Sequence, residues 1–467
     1  MDRVTLDCIN IKNLFNRFNY QIDLRNGEDV SVLIAPNGCG KTTIFNIITF
    51  MFKPTYQGFR KVCEVPFDEC ECILSNGKSV ILKSKPDKSS KNIFVNRIDD
   101  DDDFIYDDDF AVPFEENRTV RELTLVIGKD SIIYNQKIQN RLSEMDPDLL
   151  RLVEDVGPYE YKMNNIPPRY RSVLRELDLL FSQIEDLLKK NHSFISINYI
   201  TADRLHLGNL TSSQKKTFFR RHYGDAVVIS GPMKWAQNNT KSIINEAKVE
   251  VAVRQTKAKD ELPKQYLEVK KPLWGYDEFK MKWKAYVDNI EKYCSIGLLD
   301  PVEPILNMDK LEKYYNEKGP FLTVYLAAFA KTLEPLEPDY NKLKLFAEIF
   351  NERNRITKKT ITFGRDGIKL TVDGSPLALD CLSSGEKNDF IMFYELIFNS
   401  QKNGLVLIDE PEISLHIEWQ KTFLDSLLDI CKMNGLKAIV ATHSPNIIHG
   451  HRELFAERGI EYDAAED

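Results

Sequence analysis

Apolar and polar positions along the chain change period several times, and each change marks an element. Positions 4–9 and 20–24 alternate with a period of two and read as antiparallel strands, with a turn at Asn26-Gly27. Val30–Ile34 is an apolar run, interrupted only by Ser31, that reads as a buried strand, and 44–51 is an apolar-rich run that reads as a helix. Alternation returns over 69–83 about Asn76-Gly77 and over 123–134 about Gly128-Lys129-Asp130, which predicts two hairpins. Leu174, Leu177, Leu180, Ile184 and Leu187 recur at helical spacing after Pro167-Pro168, so 169–190 reads as an amphipathic helix. A buried strand over 195–200 follows.

From 206 to 340 the chain changes character. Glycine becomes sparse, lysine and aromatics rise, and helical patterns run over 240–251, 276–293 and 310–332. Heptads are not sustained, which argues against a long coiled-coil arm. Strand patterns resume at 360–363 and 368–372 and lead to Ser383. Two further apolar runs, 404–408 and 436–442, read as fully buried strands. The chain is therefore expected to be α/β, with an N-terminal half over 1–205, a mainly helical insertion over 206–340 and a C-terminal half over 341–467.

Composition narrows the class. A chain of 467 residues can bury a large core, and a net charge of −8 does not mark a dedicated nucleic-acid binder. No apolar run is long enough to span a bilayer, and the first residues include Asp2 and Asp7 rather than a signal pattern, so a soluble cytoplasmic protein is expected. The eight cysteines are scattered, and Cys70 and Cys72 form one C-x-C with no second pair to complete a zinc site. Eight aspartates crowd 99–109, which reads as a solvated, self-repelling surface loop. The stretch 215–223 interleaves Lys215, Lys216, Arg220 and Arg221 with Phe218, Phe219 and Tyr223. It suits a solvated helix face, a DNA contact or a protein docking surface.

The candidate chemistry begins between the first buried strand and helix. Ala35-Pro36-Asn37-Gly38-Cys39-Gly40-Lys41-Thr42-Thr43 has the layout of a phosphate-binding loop, with Ala35 where a glycine is usual. Backbone N–H groups over Asn37–Thr43 and the helix N-terminus would cradle the β-phosphate. Lys41 would reach the β- and γ-phosphates, and the Thr42 hydroxyl would sit on Mg²⁺. The run 404–408 ends in Asp409-Glu410, and paired acids at the end of a buried strand need a compensating cation. Asp409 would hold that Mg²⁺, and Glu410 would orient or deprotonate the attacking water. The strand over 436–442 ends at His443, placed to donate to a γ-phosphate or to sense it. Ser383-Ser384-Gly385-Glu386 opens a helix whose N-terminus offers a second anion site.

In this order, Asn37–Thr43, Ser383–Glu386, Asp409-Glu410 and His443 resemble the motifs of ABC-type P-loop ATPase heads. That group is shared by RecF, structural-maintenance-of-chromosomes heads and overcoming-lysogenization-defect (OLD) proteins. The runs 408–416 and 441–445, with 199–204, are similar to the OLD-like branch in particular, and 412–416 looks like its D-loop. The resemblance implies a mixed sheet with an antiparallel lobe and ATP sandwiched between two chains arranged head to tail. Lys41, Thr42, Asp409, Glu410 and His443 would come from one chain, with Ser383 and Gly385 from the other. No Q-loop glutamine can be assigned among Gln57, Gln136 and Gln139. OLD nucleases carry a Toprim domain, for which the stretch after His443 is too short. Compact ATPases of this build resemble the ATPase subunits of Septu- and PARIS-type anti-phage systems (PtuA, AriA). This implies an oligomeric scaffold that controls a separate HNH or Toprim nuclease. A RecF-like DNA-binding ATPase of repair or replication is the other expectation.

Overall fold

The computed structural model describes residues 4–25, 29–34, 36, 38–86, 121–134, 168–201, 231–301, 306, 308–454 and 461–462. Asn37, the turn at Asn26-Gly27, the aspartate run, Gln136, Gln139 and the basic-aromatic stretch 215–223 lie outside the described residues. The chain divides into two units, Met1–Val228 with Asn399–Asp467, and Ile229–Phe398.

In the first unit a parallel sheet carries β3 (Val30–Ile34), β8 (Ile197–Ile200), β12 (Leu405–Asp409) and β13 (Lys437–Thr442) in the order β3-β13-β12-β8. Register aligns Thr442 with Ile34 and Asp409 with Ala441, so the carboxyl ends of these strands share one edge. Every residue of β12 is buried, which explains its unbroken apolar run. A seven-stranded antiparallel sheet forms the lobe, with β1 (Leu6–Leu14), β2 (Phe18–Asp23), β4 (Glu69–Leu74), β5 (Ser79–Pro86), β6 (Arg121–Ile127), β7 (Asp130–Tyr134) and β14 (Glu461–Tyr462). Both expected hairpins form: β4 pairs with β5 around Asn76-Gly77, and β6 pairs with β7 around Gly128-Lys129.

The helix α1 (Lys41–Phe52) follows β3. Nine of its side chains are buried, Ile44, Phe45, Ile47, Ile48, Phe50, Met51 and Phe52 among them. Apolar on nearly all sides, it belongs in an interior rather than on a surface. Its side chains share one core with residues of both sheets and with Val173, Leu174 and Leu177 of the helix Pro168–Lys190. The helix start is therefore fixed from several directions.

The second unit is mainly helical, with helices Gly231–Glu268, Tyr276–Ser295, Leu311–Leu333, Leu336–Arg353 and Ser384–Tyr394. It also holds a three-stranded antiparallel sheet of β9 (Lys359–Gly364), β10 (Gly367–Val372) and β11 (Ser375–Leu377). Phe279, Trp283, Leu311, Leu322 and Leu326 form one of its cores. A buried ion pair, Arg353 Nη1 to Asp389 Oδ1 at 2.7 Å, ties the helix Ser384–Tyr394 to its neighbour. The chain is α/β as expected, with a parallel sheet and an antiparallel lobe in the first unit and mostly helices in the second. No helix among the described residues is long and apolar enough to cross a membrane.

Candidate nucleotide site

The loop between β3 and α1 is shaped by its glycines. Gly38 and Gly40 have φ of 82° and 85°, backbone that side chains with a Cβ rarely adopt. A Cβ on Gly40 would also lie 2.7 Å from Phe15 Cε2 and 2.9 Å from Leu14 Cδ2. Beneath the loop, the Tyr20 hydroxyl of β2 donates to the Cys39 carbonyl at 2.5 Å. Cys39 is buried, and burial pushes its thiol pKa up, so its side chain packs the loop rather than reacting. Lys41 folds back over the loop and donates to the Pro36 carbonyl at 3.3 Å. Gly40 caps α1 without a side chain, which leaves the first N–H groups of the helix available to an anion.

The end of β12 brings the acids to this loop. Asp409 Oδ2 accepts from the Thr42 hydroxyl at 2.5 Å, although 367 residues separate the two, and from the Tyr199 hydroxyl at 3.3 Å. The other oxygen, Oδ1, is buried with no hydrogen-bond partner among the described residues. Burial raises the Asp409 pKa to about 6; the Thr42 hydrogen bond opposes this rise and the neighbouring Glu410 charge reinforces it. A dry carboxylate with one oxygen unsatisfied, beside a threonine hydroxyl, suits a hard divalent cation. Thr42 and Asp409 therefore fit Mg²⁺. Among the described residues no group of three or more His, Cys, Asp or Glu could hold a metal, so phosphate and water oxygens would supply the rest of its shell.

Glu410 leaves the strand in a left-handed conformation, φ 43° and ψ 59°, which costs a residue other than glycine about 1–2 kcal/mol. The backbone N–H of Glu410 still donates to the Ala441 carbonyl at 2.8 Å. Its carboxylate is turned toward β13, where Oε1 lies 3.3 Å from His443 Nδ1. His443 is 44% exposed on its side chain, so Lys41, Thr42, Asp409, Glu410 and His443 meet at an open edge of the sheet. In the 412–416 stretch, Ile413 is 59% exposed while Glu412 and Leu415 are buried.

Ser383, Ser384, Gly385 and Glu386 belong to the second unit. Ser383 caps the helix Ser384–Tyr394: its Oγ accepts from the Glu386 N–H at 3.3 Å, and Glu386 Oε2 accepts from the Ser383 N–H at 2.7 Å. Lys359 Nζ donates to both Glu386 oxygens at 2.8 Å. The Glu386 carboxylate is thus committed within its own unit, whereas Ser383 and Ser384 are exposed. Two contacts are not given by the motifs. Tyr199 reaches Asp409, and Tyr20 supports the loop. The signal for Tyr199 is positional, since its register partner Leu407 lies two residues before Asp409 on β12.

A probable iron chelatin transport ATP-binding protein of Helicobacter pylori strain ATCC 700392 / 26695 is 27% identical over 168 residues, covering 34% of this chain and 63% of that protein. Its counterpart in strain J99 / ATCC 700824 matches to the same extent. The chain thus spans 63% of the length of these curated relatives. Among solved structures, the Pyrococcus furiosus Smc head domain with an extended coiled coil, bound to the C-terminal domain of ScpA, matches at a TM-score of 0.34 and 11% identity. That match covers 95% of this chain and 91% of that chain. The family model described as the AAA ATPase domain (AAA_15) matches residues 5–448, and the chain belongs to that family.

Proposed function

We propose that the chain binds ATP with Mg²⁺ and hydrolyses it in a site completed by a second copy. The observation that carries this reading is the Thr42–Asp409 contact, with the buried, unsatisfied Oδ1 beside it. The loop N–H groups and Lys41 bind the β- and γ-phosphates, and Thr42 and Asp409 hold the cation, which would neutralise phosphate charge. Glu410 accepts a proton from the water that attacks the γ-phosphorus, and the β-phosphate oxygen leaves with ADP. His443 stands beside Glu410 and senses the γ-phosphate. The exposed Ser383, with the N-terminus of the helix it caps, offers a hydroxyl and a positive dipole end to the γ-phosphate of a nucleotide held by the partner copy. Glu410→Gln tests the assignment: it should reduce phosphate release by about 100-fold or more while ATP still binds. Wild-type turnover in that variant would overturn it.

The finer role rests on the resemblance of 408–416 and 441–445 to OLD-like ATPases. It is an oligomeric scaffold that controls a separate HNH or Toprim nuclease in anti-phage defence. Native mass of the tagged chain from its host, with co-purifying proteins identified, tests this role. A nuclease in fixed ratio supports it, and a lone chain that dimerises with ATP and carries DNA would favour the repair reading instead.

A further inference from the structure

Glu412 lies two residues beyond the proposed base and is built into the turn that carries His443. It is 8% exposed. One of its oxygens, Oε1, accepts from the Thr442 hydroxyl at 2.6 Å, the His443 N–H at 2.9 Å and the Ser444 N–H at 3.2 Å. The network continues: the Ser444 hydroxyl donates to Gln420 Oε1 at 2.9 Å. Gln420 Nε2 donates to the carbonyls of Glu412 at 3.4 Å and Leu415 at 3.0 Å. Thr442 and Gln420 are themselves buried. The turn after β13 is therefore gathered on one carboxylate oxygen, with the Ser444 N–H also donating to the Thr442 hydroxyl oxygen at 3.0 Å.

The same oxygen lies 3.4 Å from His443 Nδ1, which also faces Glu410 Oε1 at 3.3 Å. Two carboxylate oxygens can only accept, so the hydrogen of the neutral imidazole belongs on Nδ1. Nε2 is then an acceptor, able to take a hydrogen bond from the attacking water but not to donate to a phosphate oxygen.

We infer that Glu412 is a positioning residue for the proposed hydrolysis: it fixes the His443 turn and, with Glu410, the Nδ1–H tautomer. This rests on the ATPase reading for its catalytic consequence, but not for its effect on His443. A cap serving only to stabilise the fold would change the melting temperature. A positioning residue changes turnover and the histidine itself.

The test compares Glu412→Ala and Glu412→Gln with wild type in the full chain. Glutamine keeps an oxygen that can accept the three donors, and alanine does not. Expected for Glu412→Ala is a kcat lower by at least about tenfold, as for a displaced catalytic group, with KM and affinity for a fluorescent ATP analogue within about twofold. Glu412→Gln should restore kcat to within about threefold of wild type. Nitrogen-15 spectra, with the His443 signal identified by its absence in His443→Ala, should show the Nδ1–H form in wild type and Glu412→Gln. That signature should be lost or averaged in Glu412→Ala. An unchanged His443 signal in Glu412→Ala would overturn the inference. So would a loss of melting temperature and nucleotide affinity together with kcat retained. If wild type hydrolyses no ATP, the ATPase reading falls and the nitrogen-15 comparison alone decides the role of Glu412.

Discussion

Asp409→Asn should stabilise the metal-free protein while abolishing its chemistry. The Asp409 carboxyl has its pKa raised to about 6 from an ordinary 3.8, and the residue is 4% exposed. Because the folded-state value is the higher one, the protonated form is favoured by folding. Stability from this group is complete below the unfolded value and is lost as pH rises through the folded one. A difference of about 2 units corresponds to about 3 kcal/mol of destabilisation above pH 6 when no cation is present. Asparagine is nearly isosteric and its oxygen can still accept from Thr42, so the substitution removes the penalty and little else. For a unit of about 300 residues, about 3 kcal/mol is about 5 °C of melting temperature. The assay is a melting scan of protein stripped with a chelator, wild type against Asp409→Asn, at pH 8 and pH 5. The variant should melt higher at pH 8, with the gain about halved at pH 5. Mg²⁺ with ATP should raise the melting temperature of wild type far more than that of the variant. An Asp409→Asn protein that melts at or below wild type at pH 8 would refute the reasoning, since Asp409 would then carry no uncompensated buried charge.

Other consequences follow from single contacts. Gly40→Ala places a Cβ 2.7 Å from Phe15 at a φ of 85°, so it should cost about 1–3 kcal/mol in a denaturation scan and weaken nucleotide affinity in a binding titration. Arg353→Ala removes one half of a buried ion pair whose side chains are 3% and 2% exposed. Thermal unfolding should show a loss of about 3–5 kcal/mol, largely recovered when Asp389→Leu is added. Ser383→Ala deletes the cap of the helix Ser384–Tyr394, which should cost about 1 kcal/mol of stability and lower turnover beyond what that loss explains.

The site residues were legible because their chemistry demands short contiguous runs. Gly38-Cys39-Gly40-Lys41-Thr42 must be a tight loop before a helix, and Asp409-Glu410 breaks an apolar strand with two acids. Contacts made only by folding were harder to read. Tyr199 sits in a buried strand where an aromatic needs no special reason, and only the register of β8 beside β12 gives its hydroxyl to Asp409. The helix Gly231–Glu268 runs beyond the expected 240–251 at both ends, and its buried residues extend from Met233 to Val251. Beyond it the helix is polar, with pairs such as Arg254–Glu250 at 2.8 Å, and such a stretch has no apolar period. Glu386 reads as part of a ligand signature, while its carboxylate is engaged by the Ser383 N–H and Lys359. A capping box and an anion-binding helix start share the same residue types, so sequence alone does not separate them.

The central claim is a nucleotide site shared between two copies, and mixing two inactive proteins tests it most directly. Lys41→Ala loses the lysine proposed to bind phosphate but keeps Ser383, whereas Ser383→Arg blocks the helix start proposed to oppose it but keeps Lys41. In a head-to-tail dimer of one of each, one site is intact. Random pairing should then restore about a quarter of the wild-type rate of ATP hydrolysis. A mixture no more active than the two proteins measured apart would contradict the shared site.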